Sequence, residues 1–203
     1  RRAGVVNGDR VAGFIPNVPE AVVAMLACSS IGAIWSSCSP DFGINGVVDR
    51  FGQIAPKVLI TADGYIYNGK QHDSLGPVRG VLERIDSIES TGVVSFLGRS
   101  SGVENLRGGI AWNDLAVPDA PPQFLATEFN HPLYIMYSSG TTGVPKCIVH
   151  GVGGTLVQHL KEHRLHCNIG PDDRLFFFTT CGWMMWNWLV SGLTVGATIY
   201  LYD

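Results

Sequence analysis

The chain has 203 residues, enough for one domain with a substantial core and barely enough for two. Its 14 basic and 17 acidic residues leave a formal net charge of -3, and no block of like charge stands out, which argues against a nucleic-acid face or an electrostatic membrane anchor. Charged residues make up only 15% and glycine 25 of the 203 positions; ordinary soluble domains run near 25% charged, so the composition fits a buried α/β core with tight turns, or a piece of a larger protein whose surfaces other parts cover.

The five cysteines (Cys28, Cys38, Cys147, Cys167 and Cys181) are odd in number and scattered, with no Cys-x-x-Cys pair. That pattern argues against a disulfide framework or a zinc ribbon and for a reducing, cytoplasmic compartment. The opening Arg1-Arg2-Ala3 has neither a starting Met nor an apolar signal core, so an internal start is expected.

Residues 11–15 (VAGFI) predict a short buried strand. Asn17 is placed to cap a following helix, with Glu20 completing a capping box and Pro19 in the first turn. Residues 21–31 are nearly all apolar and Gly32 stands where helices commonly stop. Residues 33–36 predict the next strand, residues 46–54 a second helix ending at Pro56, and residues 58–61 a third strand. Strand, helix, strand, helix, strand with short turns is the pattern of a mainly parallel α/β sheet flanked by helices. From residue 98 to 132 the pattern loosens, with Pro118, Pro121 and Pro122 marking irregular connection. Residues 133–137 then predict a strand leading into the most informative segment. No internal repeat or low-complexity tract appears.

That segment is Tyr137-Ser138-Ser139-Gly140-Thr141-Thr142-Gly143-Val144-Pro145-Lys146, joined to a second strand-like run at residues 147–150. Two glycines let the backbone turn sharply and bring its N–H groups to an anion, while four hydroxyls add donors. Lys146 adds a charge worth about 4 kcal/mol at 4 Å from a phosphate oxygen in an effective dielectric near 20, before desolvation. This is the chemistry of nucleotide phosphate binding. It differs from the ordinary P-loop, which places Lys directly after its second Gly and opens into a helix; here Val144 and Pro145 intervene and a β-branched run follows. A Ser/Thr/Gly-rich surface turn is the plainer alternative.

The ten residues resemble the signature of the adenylate-forming superfamily of acyl-CoA synthetases, luciferases and peptide-synthetase adenylation domains. Residues 146–150 (KCIVH), 153–155 (GGT), 158–163 (QHLKEH) and 179–187 (TTCGWMMWN) resemble the acetoacetate–CoA ligases within it. The close likeness covers residues 11–62 and 131–203. The resemblance implies part of a large N-terminal domain, without the mobile C-terminal domain. It implies an enzyme that joins a carboxylate to AMP from ATP, with Mg²⁺, and then exchanges AMP for the thiol of CoA. Ser138, Ser139, Gly140, Thr141, Thr142, Gly143 and Lys146 would hold the β- and γ-phosphates, Lys146 also acting in catalysis. Trp183 and Met184 match positions that border the acyl pocket. Related sequences commonly carry Gly where this chain has Cys147, expected here to be a packing residue. The adenine, ribose and Mg²⁺ contacts expected downstream are not in these residues, so the 203 residues alone are expected to be inactive. An acetyl- or other short-chain acyl-CoA synthetase and a non-catalytic nucleotide-binding module remain the alternatives.

Two further features compete for attention. Residues 175–202 carry no charge, long enough on length alone for a membrane span. Gly182, Gly192 and Gly196, with Thr179, Thr180, Asn187 and Ser191, instead divide the run into a strand (175–179), a helix (183–193) and a strand (198–202), with Trp186 and Trp188 in the core. His159-Leu160-Lys161-Glu162-His163 is a literal H-x-x-E-H, the spacing of a zinc-peptidase helix. No Glu follows Glu162 to supply a third ligand, so no metal site is expected.

Overall fold

The structure is a computed structural model and describes residues 1–99, 101–117, 119–138 and 143–202. Strand β1 (Arg10–Phe14), helix α1 (Pro19–Ser30), strand β2 (Ile34–Cys38), helix α2 (Ile44–Ile54) and strand β3 (Val58–Ala62) open the chain in the expected order. A hairpin of β4 (Gly64–Tyr67) and β5 (Lys70–Asp73) follows, then helix α3 (Leu75–Leu82), strand β6 (Ser90–Val94), strand β7 (Gly109–Ala111) and the short helix α4 (Trp112–Leu115). The second half contains β8 (Pro132–Tyr137), β9 (Cys147–Gly151), α5 (Val152–Lys161), β10 (Arg174–Phe176), α6 (Met184–Ser191) and β11 (Thr198–Tyr200).

Seven strands form the main sheet in the order β7-β6-β3-β1-β2-β8-β9. Every pairing is parallel except β8 with β9, which is antiparallel. The central strands are apolar on both faces because both faces are covered. Ala12 and Phe14 of β1 and Leu59 of β3 pack with Val47 and Phe51 of α2 and Val78 and Leu82 of α3. Their alternate neighbours Val11, Ile15 and Ile60 pack on the opposite side with Ala21, Val22 and Met25 of α1 and with Trp186 and Val190 of α6. Each of the Val, Leu, Ile, Phe and Met side chains among them contributes about 1.5–3 kcal/mol when fully buried. In α2 the buried residues Val47, Phe51 and Ile54 recur at helical spacing, and the helix stops where Ala55 turns left-handed ahead of Pro56.

The stretch from 98 to 132 is more ordered than its composition suggests, because β7 adds an edge strand to the sheet and α4 follows it directly. Asn17 does not cap α1. Val18 occupies the N-cap with no side-chain bond, and Pro19 stands at the first helical position as expected. Asn17 is spent on longer-range contacts: its amide donates to Tyr202 O at 3.2 Å, and its Oδ1 accepts the Trp186 indole N–H at 2.8 Å. At the carboxyl end of β3 the buried Asp63 carboxylate accepts the backbone N–H groups of Phe96, Leu97 and Arg99 at 2.7–2.8 Å. Three such donors make a buried carboxylate tolerable, and they fix the turn leaving β6.

The uncharged final segment is a strand–helix–strand unit. β10 and β11 pair in parallel and α6 crosses between them, with shorter strands than the sequence predicts. The helix is also shorter than predicted, and a tight turn over Gly192–Val195 completes the crossover. Trp186 is fully buried, whereas Trp188 is only half-buried and is not a core residue. Among the described residues no helix is long and apolar enough to cross a membrane.

Candidate functional site

Strands β8 and β9 form a hairpin in which Tyr137 faces Cys147, Met136 faces Ile148 and Ile135 faces Val149. The Ser138 N–H donates to Lys146 O at 3.0 Å, so the two residues close the neck of the connecting loop. Ser139, Gly140, Thr141 and Thr142 lie outside the described residues. Gly143 adopts φ +152°, a setting that L side chains rarely take, and open space surrounds the position of a Cβ there. Lys146 is exposed and takes part in neither of the ion pairs formed among the described residues. Among the described residues, then, the C-terminal side of the loop presents an exposed lysine in no ion pair, close to a glycine with no described atom within 4 Å of its Cβ position. The loop joins two antiparallel strands, the connection expected from the β-branched run and unlike the loop-to-helix geometry of a P-loop.

The neck is braced from two sides. Gln53 of α2 donates to Pro145 O at 2.8 Å. Ser36 of β2 donates to Ile135 O at 2.8 Å and lies 2.9 Å from the Tyr137 hydroxyl. Burial pushes the Tyr137 phenol well above its usual range, so it stays protonated as a neutral hydrogen-bonding group. The parallel strands β1, β2, β3 and β8 all end at this edge of the sheet, where ligands of open α/β sheets bind. Cys147 is exposed, not packed as the sequence reading expects. The desolvation it does experience raises its thiol pKa, so nothing activates it as a nucleophile.

Trp183 and Met184 stand at the start of α6, 63% and 44% exposed. Met184 borders an open groove of about 440 Å³ with Met185 and Trp188 of its own helix and Lys161, Glu162, His166 and Cys167 opposite. Gly182, just before them, packs against β2: a Cβ would stand 3.2 Å from Ser39 N.

The two histidines of the H-x-x-E-H sequence are both buried. His163 Nε2 is 2.8 Å from Ser191 Oγ and 3.2 Å from Trp188 O, and its ring lies 4.4 Å from that of Trp188. The Glu162 carboxylate accepts the Trp188 indole N–H at 2.9 Å. These residues fasten α5, through the π-helical turn Glu162–His166 that follows it, onto α6. Burial holds both imidazoles below the usual histidine range. Among the described residues no group of three or more His, Cys, Asp or Glu side chains could hold a metal ion.

Sequence reasoning passed over Ser36 and Ser37, whose importance comes from partners 99 and 144 residues away. Their only local signal is a pair of hydroxyls in a buried strand, where each must find a partner.

A fold with a parallel sheet and a glycine-containing loop at its carboxyl edge, joined to an antiparallel strand, defines the class. The chain belongs to the AMP-binding enzyme family, which matches it over residues 1–203. Acetoacetyl-coenzyme A synthetase of Rhizobium meliloti (strain 1021) is 56% identical over 206 residues, taking in 100% of this chain and 31% of that protein. Malonamoyl-CoA synthetase vrtB of Penicillium aethiopicum is 48% identical, over 96% of this chain and 28% of that protein. The solved acetoacetyl-CoA synthetase from Streptomyces lividans superposes with a TM-score of 0.94 at 49% identity, covering 100% of this chain and 31% of that one. The chain thus spans about a third of the length of the relatives it matches.

Proposed function

We propose that the full-length protein carrying these residues is an acetoacetate–CoA ligase. In the first step a carboxylate oxygen of the acid attacks the α-phosphorus of ATP and pyrophosphate leaves. In the second the CoA sulfur attacks the acyl carbon and AMP leaves. The observation that carries this reading is the β8–β9 hairpin, whose neck is closed by Ser138 and Lys146 and where Lys146 is exposed and in no ion pair among the described residues. Lys146 and the Ser138–Gly143 backbone would hold the β- and γ-phosphates, stabilising charge as it moves onto pyrophosphate. Mg²⁺ enters with ATP and is given no ligand among the described residues.

The acid is assigned from the relatives. Acetoacetyl and malonamoyl groups are both short and both carry a carbonyl on the third carbon, so the substrate class is a short 3-carbonyl acid with acetoacetate its first member. Trp183 and Met184 would form an apolar wall for the short chain. Five free cysteines support a reducing, cytoplasmic setting.

The test is pyrophosphate release by the full-length protein with ATP, Mg²⁺ and, in turn, acetoacetate, malonamate, butanoate and acetate. Acetoacetate should give the highest kcat/KM, and CoA should convert the adenylate to a thioester. Preference for acetate would favour the acetyl-CoA ligase reading. Nucleotide binding with no acid-dependent turnover would leave only a nucleotide-binding module. Residues 1–203 alone should be silent in this assay, since alignment of the reacting groups supplies about 7–11 kcal/mol of the barrier.

A further inference from the structure

Strand β2 carries two adjacent buried serines, Ser36 and Ser37, just before its last residue, Cys38. Successive strand residues face opposite sides of a sheet, and these two hydroxyls reach different parts of the site. Ser36 bonds Ile135 O and contacts the Tyr137 hydroxyl, at the foot of the phosphate hairpin. Ser37 donates to Cys181 O at 2.7 Å and accepts the Trp35 indole N–H at 3.2 Å. A serine hydroxyl has one proton, so the incoming indole N–H leaves that proton directed at Cys181 O. Cys181 and Gly182 run directly into Trp183 and Met184. The same turn is pinned twice more, by Gly182 against the Ser39 backbone and by the Cys181 thiol 3.4 Å from Pro16 O.

We propose that Ser36 and Ser37 are positioning residues that divide the site between them: Ser36 sets the phosphate hairpin, and Ser37 sets the turn carrying the acid-pocket wall. Neither touches substrate. The inference rests on the ligase reading above and adds that acid selectivity and nucleotide binding are tuned from one strand end. A wall displaced by an ångström or less changes how the acid carbonyl meets ATP without altering how the phosphates are gripped.

The experiment is steady-state kinetics of full-length Ser36→Ala and Ser37→Ala, varying ATP and acid separately. Ser37→Ala should lower kcat/KM for acetoacetate about 10–100-fold, as small displacements of a reacting group do. It should also change the ranking of acetoacetate, butanoate and acetate, and leave the KM for ATP unchanged. Ser36→Ala should raise the KM for ATP and keep the acid ranking. Ser37→Thr keeps the hydroxyl, so acetoacetate selectivity should be retained in a folded Ser37→Thr protein. Gly182→Ala pushes the same turn away from the end of β2, against Ser39 and Cys38, and should reproduce the Ser37→Ala pattern, which decides the matter should Ser37→Ala not fold. An unchanged acid ranking in a folded Ser37→Ala or Gly182→Ala protein overturns the proposal, as does an equal loss toward ATP and acid in both serine variants. A wild-type protein that releases no pyrophosphate with any acid removes the ligase reading, and the division of labour goes with it.

Discussion

The Trp186 indole N–H donates to Asn17 Oδ1 at 2.8 Å, joining residues 169 positions apart in the sequence. The bond ties the loop after β1 to α6. With the Asn17 amide on Tyr202 O, it makes one side chain a link between the main sheet and the β10–β11 unit. Asn17→Ala leaves the buried Trp186 indole donor without this partner, at about 1–3 kcal/mol, and also removes the bond to the exposed Tyr202. The denaturant midpoint, followed by tryptophan fluorescence, should fall clearly. A midpoint equal to wild type would mean that water or a neighbour replaces both bonds.

Lys146→Ala should slow adenylate formation by about 10²–10³, the usual cost of removing one stabiliser of developing charge. Acid affinity should change little, because the ammonium stands at the neck of the phosphate loop. Acid-dependent exchange of pyrophosphate into ATP measures this step directly. Wild-type exchange in the variant would falsify the role given to Lys146.

Met184→Gly removes a side chain that is 44% exposed at the start of α6, so it should alter the pocket wall while costing little core packing. Preference should move toward longer acids, each added methylene being worth about 1–3 kcal/mol of discrimination. The readout is kcat/KM across acids of increasing chain length. An unchanged order and spacing would place Met184 outside the pocket.

His159 and His163 should make the protein acid-sensitive. Burial lowers both pKa values in the folded state, so the unfolded chain binds more protons once pH falls below about 6.5. Stability therefore rises with pH through this window and is lost on acidification toward the folded pKa values. The unfolding midpoint should drop between pH 7.5 and 5.5, and His159→Gln with His163→Gln should flatten that drop. Wild type should also contain no stoichiometric zinc by elemental analysis, since the motif is engaged with Trp188 and Ser191. An undiminished pH slope in the double variant, or one zinc per chain lost with it, would contradict the packing role.

What the sequence revealed follows how local each signal is. The first three strands and two helices were legible because apolar spacing, Pro19, Gly32 and Pro56 all act within a few residues. The hairpin around the phosphate loop was legible because β-branched Ile148 and Val149 exclude the helix that an ordinary P-loop would need. β7 was not, because Gly109–Ala111 is three residues long and gains its strand character from pairing with β6. Asn17 misled for a related reason: its short side chain suits a helix cap equally well, and Trp186, which outcompetes that use, is far away in sequence. Trp188 is half-buried against Glu162 and His163, partners that no window of sequence reports.

The pairing of β2 with β8 implies an order of assembly. Ser36 and Ile135 meet although 99 positions separate them, whereas β1, β2 and β3 succeed one another closely and can pair as soon as α1 and α2 form. The β8–β9 hairpin is also local, and isolated hairpins close in about 1–10 μs. Joining hairpin to sheet must close a long segment of chain, and contacts of that kind slow folding. The hairpin proposed to hold the nucleotide phosphates is thus expected to be the outer partner in a late docking event onto a sheet already built. A destabilising change at Ser36 or Tyr137 would loosen that seam first, releasing the hairpin while the N-terminal strands and their two cores stayed assembled.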